Sequence, residues 1–155
     1  MRKERHACYR ETTLLVSKPR QSYNILVVED NPGDAHLIEE AFSECRPECK
    51  LVFTDKTTAA KELLRSQPFD LVLSDMGVQN APAVELIRWI RSTERVKALP
   101  IVVISGSPDS RLAYEAGANA FIAKTMDMDR LFGNIRDMMH FWTEVAELPS
   151  PPRNL

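Results

Sequence analysis

The chain predicts an α/β protein, a five-stranded parallel sheet covered by helices on both faces in one doubly wound domain. Three observations predict it. Short apolar runs recur between residues 24 and 124, each followed by a segment with helical apolar spacing. Most runs are apolar at every position, as strands buried from both sides must be. Cap and stop residues punctuate the alternation, so βα units succeed one another in about 120 residues, a single-domain length.

The elements follow in order. "NILVV" (24–28) reads as a buried strand rich in Ile and Val. "DNPGDAHLIEEAF" opens a helix, with Asp30 or Asn31 as cap, Pro32 in the first turn, and Ala35, Ile38, Ala41 and Phe42 on one side. "LVFT" (51–54) is the second strand, and 57–67 is a helix with Ala60, Leu63 and Leu64 inward. "DLVLS" (70–74) is the third strand. Residues 83–91 form a helix that turns either Val84, Ile87 and Ile90 or Leu86 and Trp89 inward. "PIVVIS" (100–105) is the fourth strand, followed by a short helix over roughly 109–116 that Gly117 stops. "AFIAK" (120–124) is the fifth strand. A long helix is expected from about Met128 to Glu147, with Leu131, Ile135, Met138, Met139, Phe141, Trp142 and Val145 forming a broad apolar stripe, and "LPSPP" ends it.

Residues 23–148 are therefore read as the folded domain, 1–22 as a polar N-terminal arm, and 149–155 as a tail. The net charge of −2 excludes a global nucleic-acid or membrane signature. Charge is uneven, however: residues 1–20 hold six Lys/Arg and two acids, leaving 14 bases against 20 acids elsewhere. Cys8, Cys45 and Cys49 are odd in number and fit no zinc spacing, so free thiols are expected. No apolar run is long enough to span a membrane, and the N-terminus lacks a signal-type apolar region, so the cytoplasm is expected.

Parallel strands deliver their C-terminal ends to one sheet edge, where ligands of such folds bind. The residues delivered are Glu29, Asp30, Asp75, Ser105 and Lys124, with Thr54 and Asp55 at the periphery. Clustered acids repel unless a cation neutralises them, and hard oxygen donors suit Mg²⁺. A lysine and a hydroxyl across the pocket complete a site for a phosphoryl group, and the matching chemistry is attack of an Asp carboxylate on phosphorus. Each residue alone has an ordinary reading as cap, loop or surface side chain; five together at one edge do not.

"ILVVEDNPGD", "DLVLSD", "IVVISGS" and "GANAFIAK", in this order and spacing, resemble the response-regulator receiver domain of two-component signalling. The resemblance runs from about Asn24 to Leu148. "VEDNPGD" and "FWTEVAELP" look most like the single-domain regulators paired with bacterial phytochrome histidine kinases. The resemblance implies a flavodoxin-like receiver fold with strand order 2-1-3-4-5. It implies that Asp75 accepts a phosphoryl group from a kinase phosphohistidine. Asp30, Glu29, Asp75 and the Gly77 carbonyl would hold Mg²⁺, while Ser105 and Lys124 would bind the phosphoryl oxygens. Phe121 stands at an aromatic switch position, where it has no hydroxyl and can respond only by packing. A homodimer is expected through Met138, Phe141, Trp142 and Val145, and neither nucleic acid nor membrane is an expected partner.

The chain departs from the family's usual pattern in four places, one of them the N-terminal arm of 22 residues, read either as a disordered tail or as a docking or dimer-exchange arm. Thr125 follows Lys124 where a proline, often with a cis bond, is usual, and a cis bond before Thr is costly. Gln79, and Pro82 with Ala83, replace the usual Pro and Asp-Gly of the loop after Asp75, so that loop is expected to differ. The 12-residue step from Ser105 to Gly117 is about three shorter than usual, predicting a helix trimmed by close to a turn. A degenerate receiver that binds partners without phosphorylation is the alternative. An aspartyl-phosphate phosphohydrolase is disfavoured, since such enzymes place an acid where Gly77 stands. A nucleotide-binding site is disfavoured because no Gly-rich loop follows the first strand.

Overall fold

The computed structural model describes residues 22–78, 81–107 and 109–150. The elements are β1 (Asn24–Val28), α1 (Pro32–Cys45), β2 (Lys50–Thr54), α2 (Thr57–Ser66), β3 (Leu71–Ser74), β4 (Gly77–Val78), β5 (Ala81–Pro82), α3 (Ala83–Ser92), β6 (Ile101–Ser105), α4 (Ser110–Ala116), β7 (Ala120–Ala123) and α5 (Met128–His140). β2-β1-β3-β6-β7 form a parallel sheet in that order, and β4-β5 form a separate antiparallel pair. Counting only the strands of the main sheet, this is the expected order 2-1-3-4-5.

Side chains alternate across a strand, and here both faces are buried. Leu26, Val28, Val72, Ile101 and Val103 point to one face, under Ala60 and Leu64 of α2, Leu86, Ile87 and Ile90 of α3, and Ala113 of α4. Ile25, Val27, Leu71, Leu73, Val102 and Ile104 point to the other, under Ile38, Ala41 and Phe42 of α1 and Leu131, Ile135 and Met139 of α5. Each fully buried aliphatic side chain contributes about 2 kcal/mol of transfer free energy, which is why the strands tolerate no polar residue until their ends. α3 turns Leu86 and Ile87 in together with Ile90, while Val84 and Trp89 are only partly buried, so its inward face combines the two stripes considered above.

Local signals explain the boundaries. Asn31 caps α1, its Oδ1 accepting from the amides of Gly33 (2.9 Å) and Asp34 (3.1 Å), with Pro32 in the first turn. α4 has seven residues, the trimmed helix expected. Gly117 closes it at φ 112°, where a Cβ would lie 2.9 Å from Arg91 Cγ. The loop after Asp75 folds into the β4-β5 pair, and Ala83 simply opens α3 behind Pro82. Described peptide bonds include no cis form, so Lys124–Thr125 is trans. Cys45 and Cys49 are free, and burial pushes the Cys49 thiol up to about 12.

One expectation is corrected. The last helix does not continue as an α-helix to Glu147; it ends at His140 and passes into a π-helical turn, Phe141–Val145. The wider turn carries Thr143 inward, where its Oγ1 donates to Met139 O (2.7 Å) and its carbonyl accepts from Tyr23 Oη (3.2 Å). Met138, grouped with the stripe, is a core residue 8% exposed. Phe141 and Val145 are left at the surface, 48% and 65% exposed, with Trp142 half-buried and edge-on to Phe141. Among the described residues no helix is long and apolar enough to cross a membrane. The arm proposed for 1–22 lies outside the described residues except for Ser22, as does the tail beyond Ser150.

Candidate functional site

Strand register builds the site. Val28 is paired with Thr54 on one side and Ser74 on the other, so Glu29 and Asp75 leave the sheet side by side. The backbone holds them there: Glu29 N donates to Thr54 O (2.9 Å) and Asp75 N donates to Val28 O (3.0 Å). Ser105 ends β6 opposite Ala123, and Lys124 N donates to Ser105 O (2.8 Å), which fixes the lysine's stem at the same edge. All five residues expected at this edge are delivered to it.

The side chains converge on Lys124. Its Nζ lies 2.7 Å from Asp34 Oδ2, 2.8 Å from Glu29 Oε2 and 3.2 Å from Asp75 Oδ1. Asp75 Oδ2 accepts from the Gly77 amide at 3.1 Å, so both oxygens of that carboxylate are held. Glu29 is the deepest acid, its side chain only 2% exposed. Burial raises its pKa, a rise that the hydrogen bonds from Lys124 and the Asn31 amide only partly offset. For Lys124, burial acts to lower the pKa, but hydrogen bonds to Asp34 and Glu29 and the field of Asp75 outweigh it, keeping the ammonium charged. Glu29, Asp30 and Asp75 each bring a carboxylate oxygen within 4.8 Å of the others, a cluster of hard donors able to hold a divalent cation.

Ser105 is buried, and its Oγ accepts from Ser107 N at 3.2 Å. Phe121 sits on β7 half-buried against the core, its amide donating to Tyr114 Oη at 3.1 Å. Asp34 was not among the strand-end residues singled out from the sequence. It lies in the first turn of α1, five residues beyond Glu29, and reaches the pocket because Asn31 starts the helix immediately after β1. An acid in a first turn is an ordinary helix-dipole feature, so its type alone carried no site signal.

The chain is similar to known proteins in sequence and in fold. The response regulator receiver domain family matches residues 25–136. The probable methanogenesis regulatory protein FilR2 of Methanothrix harundinacea is 27% identical over 146 residues, covering 88% of this chain and 94% of that one. Stress response regulator protein 1 of Debaryomyces hansenii is 29% identical over 108 residues, covering 68% of this chain, and that match spans only 45% of the relative's length. The phosphorylated cyanobacterial phytochrome response regulator RcpA superposes with a TM-score of 0.77 at 28% identity, over 83% of this chain and 99% of that one. The Mn²⁺-bound response regulator Rcp1 superposes at 0.74 with 25% identity, over 83% and 99%. A family match over residues 25–136, most of the chain, means that the chain belongs to the response regulator receiver domain family of two-component signalling.

Proposed function

We propose that this protein accepts a phosphoryl group on Asp75 from a histidine kinase, in a Mg²⁺-dependent reaction, and signals through protein–protein contacts. The observation that carries this reading is the Asp75 carboxylate itself, held at the sheet edge between the Lys124 ammonium and the Gly77 amide. A carboxylate oxygen of Asp75 attacks phosphorus. The P–N bond of the kinase phosphohistidine breaks, and the leaving nitrogen keeps the electron pair. Lys124 and the Ser105 hydroxyl bind phosphoryl oxygens, and Phe121 responds by repacking. Glu29, Asp30 and Asp75 would hold Mg²⁺, with the Gly77 carbonyl as a further ligand. Bound Mg²⁺ supplies positive charge that offsets the acids and the incoming phosphoryl group. The protein catalyses only its own phosphorylation and dephosphorylation.

The similarity to the cyanobacterial phytochrome response regulator RcpA supports a phytochrome kinase as the donor, and membership of the receiver domain family is consistent with the cytoplasm as the compartment. Phosphotransfer from a panel of ATP-loaded histidine kinases tests this. A phytochrome kinase should label the wild type fastest, and Asp75→Asn should take no label. Absence of label from every kinase would favour the phosphorylation-independent interaction module. The surface left by the π turn supports a homodimer led by Phe141 and Val145, with Trp142 and Met138 behind them. Sedimentation should show a dimer that Phe141→Asp converts to monomer; a monomeric wild type at high concentration removes this interface.

A further inference from the structure

Lys124 is shared unequally. Its shortest contact is to Asp34 at 2.7 Å, whereas the phosphoacceptor candidate Asp75 stands at 3.2 Å. Asp34 belongs to neither the carboxylate cluster of Glu29, Asp30 and Asp75 nor the strand ends. It approaches the ammonium from the first turn of α1, while Glu29 and Asp75 belong to the sheet edge. Its side chain is 35% exposed, against 2% for Glu29 and 16% for Asp75. Lys124 is 18% exposed and held at its backbone by Ser105, so the position of its head group is set by these three acceptors.

A divalent cation and the Lys124 ammonium compete for the same carboxylates, because Glu29 and Asp75 serve in both sets. Any acid that draws the ammonium outward lowers that competition. We infer that Asp34 is a positioning residue that draws Lys124 toward α1, leaving its contact with Asp75 the longest of the three, and so eases entry of a divalent cation to the Glu29–Asp30–Asp75 cluster. This rests on the metal reading proposed above. Without Asp34, the ammonium bears on Glu29 and Asp75 alone, and a metal must compete with it for those two undivided. Asp34 thus acts through Lys124, and a neutral isostere removes the effect while keeping the shape of the α1 turn.

Titration of the full chain with Mn²⁺, the free ion counted by electron paramagnetic resonance, tests this in four proteins: wild type, Asp34→Asn, Lys124→Ala and the double variant. Asp34→Asn should bind Mn²⁺ about threefold to fivefold more weakly, the scale of one solvent-reached ion pair. In the Lys124→Ala background the same change should cost far less, because no ammonium is left to hold. An equal cost in both backgrounds means that Asp34 acts only as a nearby charge, and overturns the inference. A second readout needs no metal. The Lys124 Nζ resonance, followed by nitrogen NMR with chelator present, should shift in Asp34→Asn and return toward its wild-type position in Asp34→Glu. A resonance unmoved by Asp34→Asn overturns the inference even if Mn²⁺ fails to bind the wild type, a failure that would count against the metal reading alone.

Discussion

Replacing Lys124 by Met should cost the metal-free protein about 3 kcal/mol of folding stability, the scale of a buried charge left without its partner. Lys124 is the cation shared by Glu29, Asp34 and Asp75, and the Glu29 side chain is 2% exposed. Water reaches the buried Glu29 carboxylate poorly, so its charge repels those of Asp75 and Asp34 with little compensation. The deficit should shrink as the pH falls. Burial already raises the Glu29 pKa, and protonation removes the charge that lost its partner. Mg²⁺ should stabilise the variant more than the wild type, since no ammonium competes for the cluster. Urea unfolding with chelator and then with Mg²⁺ measures both effects. Equal stability of variant and wild type in chelator would show that the ion-pair network contributes nothing net.

Arg91→Ala should be the most damaging truncation of a charged side chain outside the pocket, at about 2–3 kcal/mol by urea unfolding. One guanidinium satisfies four acceptors: Nε donates to Gly117 O (2.8 Å), Nη1 to Lys97 O and Leu99 O (both 2.8 Å), and Nη2 to Asn119 Oδ1 (2.7 Å). Asn119 Oδ1 also accepts from Ile101 N (2.9 Å), so the side chain ties the end of α3, the entry to β6 and the cap of α4 into one unit. Truncation leaves two part-buried acceptors, Gly117 O and Leu99 O, without donors, each costing about 1 kcal/mol or more, and opens the two exposed ones to water. Arg91→Lys should recover little, because an ammonium cannot span the fork that the guanidinium fills. Hydrogen exchange should quicken around residues 117–119. Wild-type stability in Arg91→Ala would mean that water replaces all four bonds without cost.

The fold was legible where burial dictates residue type. β1, β3 and β6 lie between two helical layers, so their apolar runs could be nothing but core strands, and an acid or hydroxyl after each run marks the sheet edge. Glu29, Asp30, Asp75, Ser105 and Lys124 were visible for that reason. Asp34 was not, because its role comes from the angle at which α1 leaves β1, and a first-turn acid looks the same whether it faces solvent or an ammonium. Arg91 likewise reads as the polar end of a helix, and only the path of the chain brings four acceptors around it. The π turn was hidden for a different reason. "FWTEV" continues the helical apolar stripe, and the choice of turn is made by Thr143, which bonds Met139 and Tyr23 from a buried position.

Phosphorylation of Asp75 is read from the intact-protein mass after incubation with acetyl phosphate and Mg²⁺. The wild type should gain one phosphoryl group per chain, and hydroxylamine should remove it, as it does an acyl phosphate. Asp75→Asn, which keeps the side chain's size, should gain none, and chelator should prevent the gain in the wild type. A wild type that stays at its starting mass, or an Asp75→Asn variant that gains the same mass, would contradict phosphorylation of Asp75.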